Sequence, residues 1–118
     1  MRILVAEDNH ILGKILADHL AARGHDVVPV HEGRLASIFC RERHFDVIVV
    51  DLVMPDVYGI DVLEDLHAQN CMPHAIVITG FPELLEEMSA RLAAVGVDAV
   101  VQKPFSFSVI DDALERLH

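Results

Sequence analysis

The chain has 118 residues, enough for one compact domain and too few for two. Of these, 53 % are apolar, with no Trp, one Tyr and five Phe, so the core is mainly aliphatic. That composition suits a buried parallel sheet covered by helices. A formal net charge of −10 repels phosphate backbones at long range and argues against direct nucleic-acid binding.

The apolar runs alternate with amphipathic stretches. Ile3-Leu4-Val5-Ala6 is the first strand. His10 to Arg23 has helical period, with Leu12, Leu16 and Leu20 on one stripe and Ile11 and Ile15 beside it. Gly24 stands where a left-handed C-terminal cap is expected. Val27-Val28-Pro29-Val30 is the second strand, and Pro29, lacking an N–H, places it at a sheet edge. A helix over about Arg34 to Arg43 is expected to bury Leu35, Ile38 and Phe39. Val47-Ile48-Val49-Val50, apolar on both faces, reads as the central strand.

A turn with Pro55 and Gly59 leads to a third helix, about Ile60 to Gln69, and then to a strand at Ala75-Ile76-Val77-Ile78. Pro82 can open the next helix, because its missing N–H costs nothing at the first position. That helix buries Leu84, Leu85, Met88 and Leu92, exposes Glu83, Glu86, Glu87 and Arg91, and ends at Gly96. Ala99-Val100-Val101 is the fifth strand, and Ser106 or Ser108 caps a last helix running close to His118. The pattern is α/β, (βα) repeated five times, with right-handed crossovers and helices on both faces of a parallel sheet.

Chemistry gathers at the strand ends. Strand one ends in Glu7-Asp8, strand three in Asp51, strand four in Thr79 and strand five in Lys103-Pro104. In an open α/β sheet the site lies beyond the carboxyl ends of the strands, so three acids, a hydroxyl and an amine converge there. Taken singly, Asp8 or Asn9 reads equally well as a helix cap. Crowded acids repel one another, and a hard dication such as Mg²⁺ relieves that repulsion with few protein ligands. A carboxylate can attack phosphorus and become an acyl phosphate. Mg²⁺ and an ammonium then neutralise the charge on the transferring group, and a threonine hydroxyl hydrogen-bonds it. The other candidates are bland. Cys40 and Cys71 fit neither a zinc motif nor a CxxC pair and read as reduced thiols. The eight histidines form no HxxxH or HExxH pair.

Val5-Ala6-Glu7-Asp8-Asn9, Asp51-Leu52-Val53-Met54-Pro55 with Gly59, Ile78-Thr79-Gly80 and Lys103-Pro104-Phe105, in this order and spacing, resemble the receiver domains of response regulators over the whole chain. The resemblance implies a flavodoxin-like three-layer sandwich with strand order 2-1-3-4-5, and a single receiver domain over residues 1–118 with no output domain in this chain. It implies that Asp51 is the phosphoacceptor, that Glu7, Asp8, Asp51 and the Val53 backbone carbonyl hold Mg²⁺, and that Thr79 and Lys103 contact the phosphoryl group. The Lys103–Pro104 bond is expected to be cis. The implied partners are a histidine kinase or histidine phosphotransfer protein, and a downstream protein meeting the surface of the fourth helix, fifth strand and fifth helix. No nucleic-acid or membrane partner, no catalysis beyond its own phosphoryl transfer and dephosphorylation, and a cytoplasmic location are implied. No apolar run approaches the ~20 residues that span a bilayer, and no signal peptide is visible.

One position departs from the family pattern. Receivers often carry Tyr or Phe three residues before the lysine, and here that residue is Val100. Val53 and Phe81, at positions that tune phosphate lifetime in the family, are both apolar, which implies slow self-dephosphorylation. Three other readings compete. One is a pseudo-receiver acting without phosphorylation. Another is a receiver cut from a DNA-binding or enzymatic regulator. The third is a phosphatase of the haloacid dehalogenase type, disfavoured because Val53 stands where its general acid would be.

Overall fold

The computed structural model describes residues 1–117. Five strands and five helices alternate: β1 Arg2–Ala6, α1 His10–Ala22, β2 Asp26–Val30, α2 Gly33–Glu42, β3 Val47–Asp51, α3 Gly59–Ala68, β4 His74–Thr79, α4 Pro82–Val95, β5 Ala99–Gln102 and α5 Phe107–Glu115. The sheet is parallel throughout, in the order β2-β1-β3-β4-β5. The alternating pattern predicts such a parallel sheet, and the strand order is the flavodoxin-like one that the resemblance implies. Pro29 does lie on an edge strand, paired in register with Val5. All five residues of β3 are buried, as a central strand requires.

Alternation along the strands divides the core into two layers. Leu4, Ala6, Ile48, Val50, Ala75 and Val77 face α2, α3 and α4. Ile3, Val5, Val47, Val49, Ile76 and Ile78 face α1 and α5.

The helix faces differ from the expected ones in two places. On α1 the buried residues are Gly13, Leu16, Ala17 and Leu20, whereas Ile11 and Ile15 are 73 % and 50 % exposed. On α2 the buried residues are Gly33, Ala36 and Cys40, while Leu35 and Ile38 turn outward and Phe39 is half-buried. On α1 the buried stripe runs through Gly13 and Ala17 as well as Leu16 and Leu20, and on α2 Gly33 leaves room for Val57, Val62 and Met54, so the larger flanking residues stay outside. On α4, Met88, Leu92 and Val95 are buried and Leu84 and Leu85 partly so.

The caps follow local chemistry. Asn9 is the N-cap of α1, its Oδ1 accepting from the Leu12 N–H at 3.0 Å, which leaves Asp8 free. Gly96 ends α4 with φ 77°, and Gly24 follows α1 with φ 93°, conformations that suit glycine. Ser106 precedes α5, but its hydroxyl pairs with Ser108 rather than with a backbone amide. Glu32 makes no side-chain cap for α2. Asp56, from the loop after β3, caps that helix instead: Oδ1 accepts from the Gly33 N–H at 3.1 Å and Oδ2 from the Arg34 N–H at 3.0 Å. Among the described residues no helix is long and apolar enough to cross a membrane.

Candidate functional site at the carboxyl ends of the strands

Parallel register sets the strand ends at one edge: Ala6 is opposite Val50, Asp51 opposite Ile78, and Thr79 opposite Gln102. Glu7, Asp51 and Thr79 are the three buried polar side chains among the described residues, and all three lie here. Burial of polar groups is costly unless they are paired, so their collection in one place marks the site.

Asp51 is fixed from both sides. Its Oδ1 accepts from the Val53 N–H at 3.0 Å, and its Oδ2 accepts from Lys103 Nζ at 2.7 Å. The backbone behind it is equally constrained, with Leu52 N–H bonded to the Ile78 carbonyl at 2.9 Å and Gly59 N–H to the Leu52 carbonyl at 2.7 Å. A Cβ at Gly59 would sit inside contact distance of the Asp51 carbonyl oxygen and 3.1 Å from Leu52 Cα, so the loop closes only over a glycine.

Glu7 is fully buried. Its Oε2 accepts from the Asn9 N–H at 3.0 Å, and its Oε1 lies 2.6 Å from Lys103 Nζ. The ammonium is aimed at Asp51, so this second contact is an ion pair without hydrogen-bond geometry, and Glu7 Oε1 remains a buried acceptor with no donor. Burial, and then Asp8, push the Glu7 carboxyl up to about 8, against the pull of Lys103 and the Asn9 amide. For Lys103, burial pulls downward, but the carboxylates of Asp51 and Glu7 outweigh it and the net shift is upward.

Asp8 is half-buried, and one oxygen from each of Glu7, Asp8 and Asp51 can be chosen so that all lie within 4.8 Å of one another. An all-oxygen set, with one buried oxygen lacking a donor, fits a hard divalent cation. Thr79 belongs to the site through its backbone, its carbonyl accepting from the Lys103 N–H at 2.7 Å. Its hydroxyl is turned to its own loop and accepts from the Phe81 N–H at 3.0 Å. The Lys103–Pro104 bond is cis, as expected. Phe81 and Val100 are 48 % and 43 % exposed, whereas Phe105 is partly buried against the core layer that faces α1 and α5.

The model of the response regulator receiver domain matches residues 3–115. The chain belongs to that family. This receiver is 31 % identical to the probable transcriptional regulatory protein TcrX of Mycobacterium tuberculosis over 98 % of its own length, and spans 47 % of that protein. It is 28 % identical to the polar-differentiation response regulator DivK of Brucella ovis, covering 88 % of this chain and 85 % of DivK. The receiver domain of the Francisella response regulator 1452 superposes with a TM-score of 0.88 at 27 % identity, over 98 % of this chain and 94 % of that one. The chain thus spans about half the length of TcrX and most of DivK.

Two contributors escaped the reading of the sequence. His31 Nδ1 lies 3.0 Å from the Glu7 carbonyl oxygen and donates to it, and its ring stacks on His10 with centroids 3.8 Å apart. This pins the backbone of the acid pair from β2. Isolated histidines carry no local signal of such a contact, which spans 24 residues. Asp56 is the second, a cap supplied 22 and 23 residues away from the amides it serves.

Proposed function

We propose that this receiver accepts a phosphoryl group on Asp51 from a histidine kinase or histidine phosphotransfer protein, in a Mg²⁺-dependent reaction, and passes the signal on through α4, β5 and α5. The observation that carries the reading is the convergence of Glu7, Asp8 and Asp51 around Lys103, with Glu7 Oε1 buried and lacking a donor. Glu7, Asp8, Asp51 and the Val53 carbonyl would hold the cation. When bound, Mg²⁺ supplies positive charge that offsets the phosphoryl oxygens.

The side chains do the rest. A carboxylate oxygen of Asp51 attacks phosphorus, the O–P bond forms, and the donor N–P bond breaks with its electron pair leaving on the imidazole. The Val53 amide holds the other oxygen in line. Lys103, already within reach of both Asp51 and Glu7, turns its ammonium to the transferred group and balances its charge. Thr79 then exchanges the Phe81 amide for a phosphoryl oxygen, which draws on the loop that opens α4.

Incubation with acetyl phosphate and Mg²⁺, followed by intact mass measurement, tests this. A phosphoryl adduct is expected in the parent and none in Asp51→Asn or with Mg²⁺ chelated. No adduct in the parent under any condition would instead support a partner-binding module that works without phosphorylation.

A further inference from the structure

The ladder between β1 and β2 stops one bond short of the acid pair. Ala6 and Val30 are the last paired residues, and just beyond them the Glu7 N–H donates to the Val30 carbonyl at 3.1 Å. In a regular parallel ladder the next donor, to the Glu7 carbonyl, would be the Glu32 N–H. The chain has turned by then, and Glu32 is the N-cap of α2. The His31 side chain supplies the donor in its place, with Nδ1 at 3.0 Å from the Glu7 carbonyl oxygen. A carbonyl oxygen only accepts, so Nδ1 carries the proton.

The ring is itself confined by α1. It stacks on His10, with centroids 3.8 Å and planes 14° apart, and its Cε1 lies 3.6 Å from where a Cβ on Gly13 would stand. The two acids it serves are held very differently. The Glu7 carboxyl is fixed by the Asn9 N–H and by Lys103. Asp8 is half-buried, and its carboxylate accepts no hydrogen bond and makes no ion pair among the described residues. Its aim therefore rests on the peptide plane it shares with Glu7, and the carbonyl of that plane is the one His31 holds.

We propose that His31 is a positioning residue for the divalent cation of this site: its hydrogen bond to the Glu7 carbonyl fixes the peptide that aims Asp8, and so raises cation affinity. The inference rests on the cation-dependent reading above. His31 acts through the backbone and is no ligand itself. Groups that are already aimed lose less freedom on binding, and residues that orient a ligand from behind change metal affinity by about tenfold or more.

Two substitutions separate the donor from the ring. His31→Asn keeps an N–H at the place of Nδ1 and loses the ring, whereas His31→Phe keeps a flat ring to stack on His10 and loses the donor. Mg²⁺ titration by calorimetry, with no phosphodonor present, should give a Kd about tenfold higher in His31→Phe, with most of the loss recovered in His31→Asn. In the cation-free, ¹⁵N-labelled proteins the Asp8 and Asn9 amides should move in His31→Phe and stay near the parent positions in His31→Asn. Val95→Ala, a core truncation beside the amino ends of the strands, should lower the melting temperature and leave Mg²⁺ affinity unchanged. Three outcomes would overturn the proposal: equal Mg²⁺ affinity in the parent and His31→Phe, equal losses in His31→Phe and His31→Asn, or the same loss in Val95→Ala. No Mg²⁺ binding by the parent would overturn both this inference and the cation reading beneath it. A tenfold difference in Mg²⁺ affinity without any phosphoryl adduct on Asp51 would support the role of His31 and sink only the phosphorylation.

Discussion

The carboxyl ends of β1 and β3 and the edge formed by α4 and β5 are built differently, although one sheet carries both. At the first, β3 is wholly buried, the Asp51 carboxylate is held by two donors, and a glycine closes the loop behind it. At the second, β5 buries only Val101, Val100 and Gln102 face outward, and Phe81 lies exposed at the entry to α4. Thr79 joins the two, its carbonyl on Lys103 and its hydroxyl on the Phe81 amide. Regions with few buried contacts open at low free energy, while densely bonded ones move only with the whole fold. The acids are thus held where the backbone is densely bonded, and the edge that the proposed function uses for readout is the less buried of the two.

Gly59→Ala should break the rigid side outright. Its Cβ has backbone atoms in its way on the Asp51 side, and these have no rotamer to escape into. A loss of about 3 kcal/mol in urea unfolding is expected, the upper end of ordinary point-mutant effects. A loss below about 0.5 kcal/mol would show that the loop after β3 yields, and that the contrast between the two regions is overstated.

Glu7 sharpens the same contrast through pH. Its folded pKa is raised to about 8 from 4.5, so protonated Glu7 favours the folded state. The stability it contributes is complete below 4.5 and is lost as pH rises through about 8. With divalent cations chelated, the melting temperature should fall across that window, and Glu7→Gln should flatten the fall. A parent profile that rises across the window would mean that Lys103 holds Glu7 ionised throughout.

Asp56→Ala comes next in size. It removes the remote cap of α2, and caps of this kind are worth about 1 kcal/mol. Burial pushes the Asp56 pKa up, but the amides of Arg34, Gly33, Asp56 and Val57 outweigh it and the net shift is down. The stability difference from the parent should therefore be full at neutral pH and shrink as pH falls below 3.8. Equal unfolding midpoints for parent and variant at neutral pH would show that water caps the helix as well.

These cases also separate what was legible in the sequence from what was not. The strands were, because β1, β3 and β4 are continuous apolar runs that end in acids and a threonine, and β5 leads into a lysine at family spacing. Helix faces were less so. Hydrophobicity placed Leu35 and Ile38 inside and set Ile11 and Ile15 beside the α1 stripe, yet Gly33 and Ala36 take the inner positions of α2, and Gly13 and Ala17 join Leu16 and Leu20 on α1. A small residue on a helix looks neutral in a hydropathy pattern, although at Gly33 its size is what makes room for Val57, Val62 and Met54. The Asp56 cap and the His31 contact were invisible for another reason: both depend on loops that only the finished fold brings together.

The smallest effect is expected at Val100, and it bears most directly on the readout edge. An aromatic at this position would have surface to bury, but Val100 is 43 % exposed and its truncation to Ala removes little from the core. Val100→Ala should change stability by less than about 0.5 kcal/mol, the range for surface substitutions. If the signal leaves through Thr79 and the Phe81 amide, the phosphorylation-dependent amide shifts of Gly80, Phe81 and the first turn of α4 should survive in Val100→Ala. They should vanish in Thr79→Val, which keeps the shape and loses the hydroxyl. Loss of those shifts in Val100→Ala would return the switch to β5, and the exposed valine would then be a working part of the edge.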